Sequence, residues 1–224
     1  MPHYSARLPP LPSFFKAAPV PSDPSLHRGR QRSRPHTENS WATHVYVKVP
    51  VTDEIQRVMD QVTQHDDSIH PYTDDTNQYL HISLSRCLFL REHQLQSFTE
   101  CVRRNVSNIT TCNISFAQVS LLSNDEKTRS FVTLEVGAGY HELVSCLKSV
   151  DKVVQSFHQP VFYKPPRFHA SIAWSLKLPP LESAIASLPE SLEDKVISLS
   201  FPIDKIIVKM GNRIVDIGLK TKEK

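Results

Sequence analysis

No stretch of this sequence gathers the roughly 20 consecutive apolar residues that a membrane-spanning helix requires, so no membrane association is expected. The N-terminus lacks the charged-then-apolar pattern of a secretory signal, which argues against export. The four cysteines (Cys87, Cys101, Cys112, Cys146) form no C-x-x-C pair and no zinc-ligand spacing. They read as reduced core thiols of an intracellular protein. No G-x-S-x-G elbow is present and no Asp-oriented triad is apparent, which counts against a serine nucleophile. A broad excess of positive charge is also missing where it would matter. Residues 1–40 hold six Lys/Arg against two acids, a net of +4, which leaves −1 of the chain's +3 for everything after them. Such a body has no cationic face for duplex nucleic acid, and any RNA contact is expected to be a local pocket for a few nucleotides.

What the sequence does hold is divided sharply. Residues 1–40 carry eight of the 17 prolines with many Ser and Arg, and read as a disordered tail. The run His27-Arg28-Gly29-Arg30-Gln31-Arg32-Ser33-Arg34 within it fits a nuclear address, an RNA-tethering arm or a plain solubilising segment. Residues 41–224 are expected to form a single bilobal domain, large enough to bury a sizeable core.

Along that domain, residues 43–49 alternate as a strand. Ile55, Val58, Met59 and Val62 mark a helix over 52–65. Residues 64–77 are polar and turn-rich, and a helix is predicted over 91–104. Strands over 113–122 and 130–136 flank the polar turn 123–129 and predict a hairpin. A third helix over 140–157 has an apolar face at Leu143, Val144, Leu147, Val150, Val154 and Phe157. A loop over 160–166, a short helix over 181–188 and strands over 195–201, 205–210 and 213–220 complete the pattern. The order suggests an α+β fold of two related lobes, each giving one central strand to a shared cleft.

Those two strands carry the same motif. In Leu80-His81-Ile82-Ser83-Leu84-Ser85 the apolar residues point one way while His81, Ser83 and Ser85 point the other. In Phe168-His169-Ala170-Ser171-Ile172-Ala173-Trp174 the apolar set is Phe168, Ala170, Ile172 and Trp174, with His169 and Ser171 opposite. Cleaving RNA through its own 2′-hydroxyl needs one group to take that proton and another to protonate the departing 5′-oxygen. Imidazoles suit both roles because their ordinary pKa lies near 6.5. The hydroxyls of Ser83 and Ser171 can donate to the non-bridging phosphoryl oxygens. One His on a strand is commonly structural; two in matched motifs in corresponding parts of the chain favour a site.

A metal site would need a third ligand, and neither motif strand supplies one, so no metal and no cofactor are expected. The remaining histidines (His3, His27, His36, His44, His65, His70, His93, His141, His158) read as surface or structural. Tyr163 sits on the loop before the second motif and is a candidate to stack a base, or simply a half-buried loop aromatic. Trp41 and Trp174 read as core.

Paired His-x-Ser motifs in a two-lobed α+β chain resemble the two-histidine (2H) phosphoesterase superfamily. Within it the chain is similar to the branch that processes the 3′ end of U6 spliceosomal RNA. The likeness runs from residue 39 to the end. It rests on Trp41-Ala42-Thr43-His44-Val45-Tyr46-Val47, His81-Ile82-Ser83-Leu84-Ser85, Asn124-Asp125-Glu126-Lys127-Thr128-Arg129, Phe162-Tyr163 and Phe168-His169-Ala170-Ser171-Ile172-Ala173-Trp174. The resemblance implies a nuclear, monomeric, metal-independent 3′→5′ exoribonuclease that trims an oligouridine tail and leaves a 2′,3′-cyclic or terminal phosphate. Its partner would be the single-stranded 3′ end of U6 RNA. By position it implies His81 and His169 as the acid–base pair, Ser83 and Ser171 as phosphate donors, and Tyr163, Asp125, Arg167 and Phe168 around the nucleotide. Vertebrate members carry Gln where this chain has Asp125, which alters the hydrogen bonds offered to the terminal base. Two other readings stand beside this one. The same site could serve a 2′,3′-cyclic or 2′–5′ phosphodiesterase of small nucleotides or tRNA fragments, and a non-catalytic RNA-end-binding module would keep the pocket alone.

Overall fold

The computed structural model describes residues 39–73, 76 and 78–221. The expected tail of residues 1–40 therefore lies outside the described residues, apart from Asn39 and Ser40. Strand β1 (Trp41–Pro50) begins the chain order, followed by helix α1 (Asp53–Thr63) and the short strand β2 (His70–Pro71). Next come β3 (Tyr79–Ser83), β4 (Leu88–Leu90), α2 (Glu92–Val106), β5 (Cys112–Ile114), β6 (Phe116–Ser123) and β7 (Ser130–Val136). Then follow α3 (Tyr140–Ser156), β8 (His169–Ser175), α4 (Leu178–Ala186), α5 (Glu190–Ile197), β9 (Phe201–Ile203), β10 (Lys205–Met210) and β11 (Arg213–Gly218).

Local chemistry explains most of these boundaries. Thr52 starts α1 by accepting the Ile55 amide on its hydroxyl, and Asp53 and Glu54 place negative charge at the helix's positive end. The stripe Ile55, Val58, Met59 and Val62 is wholly buried. Gly139 precedes α3 at φ 80°, where an added Cβ would lie 2.5 Å from the Asn113 carbonyl oxygen, so only glycine fits this entry. The expected strand over 195–201 is corrected. Residues 195–197 end α5, which follows Pro189 and has Glu190 and Glu193 in its first turn, and only Phe201–Ile203 is strand. The alternation of Ile197, Leu199 and Phe201 imitated a strand where a helix start signal was stronger.

The strands form one nine-stranded sheet in the order β11-β10-β1-β3-β8-β7-β6, with β4 continuing on β1 beyond β3 and β2 pairing with β8. β5 and β9 make a separate two-stranded ladder. The two lobes do not coincide with the two halves of the sequence. The β6–β7 hairpin, which precedes α3, joins β8, whereas the C-terminal β10–β11 hairpin returns to β1. All five helices bury their apolar faces in the cluster that includes Val45, Val47, Leu80, Ile82, Leu134, Ala170, Ile172 and Val208. Period-2 alternation thus gives the sheet one helix-covered face and, among the described residues, leaves the other uncovered by helices. Among the cysteines, Cys112 and Cys146 fit the expectation of core thiols, and burial pushes Cys146 up to about 12. Cys87 does not; it is exposed.

Candidate active site

The lobes meet at β3 and β8, where Ile82 and Ala170 are antiparallel partners. Both side chains are fully buried on the helix-covered face. The neighbours on either side therefore turn to the open face, with His81 beside Ser171 and Ser83 beside His169. Each imidazole thus faces the other strand's hydroxyl, and the two imidazoles stand on a diagonal. Diagonal neighbours in such a ladder are about 7–8 Å apart, a gap that a phosphodiester can enter. The four residues singled out by their motifs are brought together on one surface.

β1 adds residues that the sequence reading set aside. Its register with β3 pairs Tyr46 with Ser83 and Lys48 with His81, so His44, Tyr46 and Lys48 share the open face. His44, read from the sequence as surface or structural, lies at the site. Its Nε2 lies 3.0 Å from Ser83 Oγ, and its ring meets that of His81 edge-on at 5.2 Å. Burial, then the neighbouring His81 and Lys209, pushes His44 down to about 3. The signal was available, because His44, Tyr46 and Lys48 alternate with buried Val45, Val47 and Val49. Tyr72 and Tyr46 also pack their rings against His81, at 5.7 and 5.5 Å.

His169 is held differently. Its Nδ1–H donates to the Arg167 carbonyl at 2.9 Å, which fixes the ring and turns Nε2 toward the cleft. Burial lowers its pKa against the hydrogen bond to the Arg167 carbonyl, which raises it, with the Arg167 charge adding to the lowering and Glu135 opposing it. Glu135 sits directly opposite His169 on β7. It accepts from Arg167 through Nε and Nη2 and from Ser120 at 2.7 Å. Arg167 thus stands beside the site as expected, but already paired with an acid. Among the described residues no three His, Cys, Asp or Glu are grouped as metal ligands.

The loop residues divide. Tyr163 is 45% exposed and its hydroxyl donates to Asp125 Oδ2 at 2.9 Å. Burial and the Asp125 carboxylate raise the phenol's pKa, so it remains a donor. Arg86, which the sequence reading missed, also donates to Asp125 Oδ2 at 2.8 Å and lies 4.4 Å over the Tyr163 ring. Nothing in its local sequence marked it, since Arg86 and Asp125 meet only across 39 residues of chain. Phe168 is corrected. Its ring is 2% exposed and stacks on Phe162 in the core, so its side chain cannot touch a nucleotide.

Trp174 is buried as expected, but its facing is corrected. The β7–β8 register shifts between Val132 and Thr133, pairing Thr133 with Ser171 but Val132 with Ala173. Ile172 is the extra residue of this bulge, and one extra residue reverses the facing of all that follows. Trp174 therefore opposes Phe131, packs against His70 at 4.8 Å and lies under Arg129 at 5.7 Å. It is buried at 3%, but on the site's face rather than with Ala170 and Ile172.

The depressed His44 has a consequence for stability. The unfolded chain takes up this proton near 6.5 and the folded protein only near 3, so stability is complete above 6.5 and falls as pH drops toward 3. The full contribution is roughly 3–5 kcal/mol. Urea titrations at neutral pH and near pH 4 should show the parent losing more stability than His44→Gln. Equal losses in the two proteins would remove the neutral His44 ring from the account.

A seam of two strands, each presenting His and Ser to one cleft, is the arrangement that the paired His-x-Ser motifs predict. The model of the HVSL family, described as an uncharacterised conserved protein, matches residues 9–218, and the chain belongs to that family. It is 30% identical over 205 residues to U6 snRNA phosphodiesterase 1 of Bos taurus, covering 88% of this chain and 77% of that one. The Homo sapiens protein of the same name is 29% identical over 204 residues, with the same coverage of 88% and 77%. The structure of Kluyveromyces marxianus Usb1 with uridine monophosphate superposes with a TM-score of 0.59 at 16% identity, over 81% of this chain and 99% of that one. At that identity the likeness is one of fold.

Proposed function

We propose that this chain is an RNA phosphodiesterase that shortens the oligouridine 3′ tail of U6 RNA in the nucleus, one nucleotide at a time and without a metal ion. The observation that carries this reading is the Ile82–Ala170 pairing, which sets His81, Ser171, Ser83 and His169 around one cleft. The names of the Bos taurus and Homo sapiens relatives supply the RNA. The role of each group follows from the chemistry. The penultimate nucleotide's 2′-oxygen attacks the adjacent phosphorus, its proton passing to one imidazole. The bond from phosphorus to the terminal 5′-oxygen breaks, and the other imidazole protonates that oxygen. Ser83 and Ser171 donate to the non-bridging oxygens as their charge grows. Burial lowers the pKa of His169, which favours its neutral form. From a 3′-hydroxyl end the first turnover releases a nucleoside and later ones a nucleotide that carries the end phosphate, each leaving a chain end closed as a 2′,3′-cyclic phosphate, which water can open to a terminal phosphate with the imidazoles exchanging roles.

Tyr163 offers a ring for the terminal base, a contact worth about 1–3 kcal/mol. Asp125 offers only acceptors, which suit a base N–H. The test is mass spectrometry of a short oligouridine after incubation in EDTA. A ladder of shortened chains ending in cyclic or terminal phosphate is expected. Chains ending in a 3′-hydroxyl, or no shortening until a metal is restored, would overturn the reading. Cleavage of a 2′–5′ linked dinucleotide with the oligouridine left intact would instead favour the small-nucleotide activity.

A further inference from the structure

The proposed reaction requires Ser83 to donate a hydrogen bond, yet its oxygen is already engaged. Ser83 Oγ lies 3.0 Å from His44 Nε2. A serine hydroxyl has one hydrogen and two lone pairs. If His44 Nε2 lacks a proton, it takes that hydrogen, and Ser83 turns a lone pair toward any phosphoryl oxygen in the cleft. If Nε2 carries the proton, Ser83 accepts from His44 and its own hydrogen is left to point into the cleft. The two tautomers of one ring thus decide whether Ser83 attracts or repels the substrate's phosphate.

We propose that His44 is a positioning residue for Ser83: the neutral ring donates Nε2–H to the Ser83 oxygen and turns the serine hydrogen toward the phosphoryl oxygen. This rests on the phosphodiesterase reading of the cleft. Three features support it. His44 belongs to β1, whose register with β3 sets Tyr46 against Ser83, so the contact is built into the sheet rather than a mobile loop. The ring meets His81 edge-on, and the pair His44–His81 forms a wall that orders both motif residues of β3 at once. The ring also stays uncharged, being half-buried beside His81 and opposite Lys209, so the arrangement persists when His81 gains a proton. A cationic His44 would instead add a third positive charge to this corner and compete with Ser83 for the phosphate.

The same contact resembles a serine activated by a histidine base, in which Ser83 would attack phosphorus itself. That rival needs the opposite tautomer and leaves a phosphate on Ser83. The experiment separates them. In ¹⁵N-labelled full-length protein, with the His44 signals identified by their absence in His44→Gln, the ring should show a protonated Nε2 and a bare Nδ1 at neutral pH. The reverse pattern, or a phosphorylated Ser83 trapped during turnover, overturns the proposal.

Kinetics on a short oligouridine supply the second reading. His44→Phe keeps a ring against His81 but cannot donate, and should lower kcat about 10- to 100-fold with KM within about threefold. His44→Gln, whose amide can donate in place of Nε2–H, should recover to within about threefold of the parent. Adding Ser83→Ala to His44→Phe should cost no more than about threefold further, because both remove the same interaction. Full additivity, or a His44→Phe protein as active as the parent, overturns the proposal. A parent that leaves oligouridine intact counts against the functional reading instead, and the ring-nitrogen spectrum still decides the tautomer.

Discussion

An oligouridine whose penultimate ribose alone lacks its 2′-hydroxyl should bind with undiminished affinity and never lose its terminal nucleotide. The cleft offers no nucleophile in that hydroxyl's place within the proposed reaction. Ser83 and Ser171 are committed to the non-bridging oxygens, and the imidazoles handle protons. The 2′-oxygen is tethered one ribose from the phosphorus it attacks, and well-oriented tethered nucleophiles reach effective concentrations of about 10⁵–10⁸ M. Water at its bulk concentration cannot match this. The release rate should therefore fall by at least about 10⁴-fold, to the limit of detection. The control is an oligomer with the deoxyribose one position further from the end. It should lose its terminal nucleotide at the parent rate and stop at the next. Release from the blocked oligomer within about tenfold of the all-ribose rate would mean direct attack by water, and the cleft would then be a hydrolase of a different kind.

The central pair was legible in the sequence because strand alternation is a local property. His81 and Ser83 share a face with no help from the rest of the chain, and the same holds for His169 and Ser171. His44 was equally legible in that sense, since it alternates with buried Val45 and Val47. It was passed over because no second copy of its pattern exists, and its partner Ser83 lies 39 residues away. Trp174 shows where alternation fails. The bulge at Ile172 is a property of the β7–β8 pairing, not of β8 alone, so the sequence of β8 cannot announce it. The joining of the lobes was hidden for the same reason. That β10 and β11 return to β1 is a long-range pairing decision, made by which apolar faces can share the helix-covered core. Arg86 belongs to this class as well, since it reaches Asp125 and Tyr163 only in the folded chain.

The two ends of the site are therefore supported unequally. His81 is enclosed by rings, those of His44, Tyr46 and Tyr72, whereas His169 hangs from a backbone carbonyl beside the Arg167–Glu135 ion pair. Both imidazoles must nevertheless act in the same turnover, and removing either should be ruinous. His81→Ala and His169→Ala should each lower oligouridine turnover about 10²–10⁴-fold, the typical worth of one positioned proton transfer, or roughly 3–5 kcal/mol of barrier. Uridine monophosphate affinity should change little, because Ser83, Ser171 and Tyr163 remain. The double variant should be no more than about tenfold slower than the worse single one, since the second proton transfer gains little once the first is lost. Replacing Ala by Gln at either position keeps a hydrogen-bonding group but no titrating one, and should not restore turnover. Activity within tenfold of the parent in any of these variants would remove that histidine from the reaction. Full activity in both single variants would reduce the paired motif to a feature of the fold.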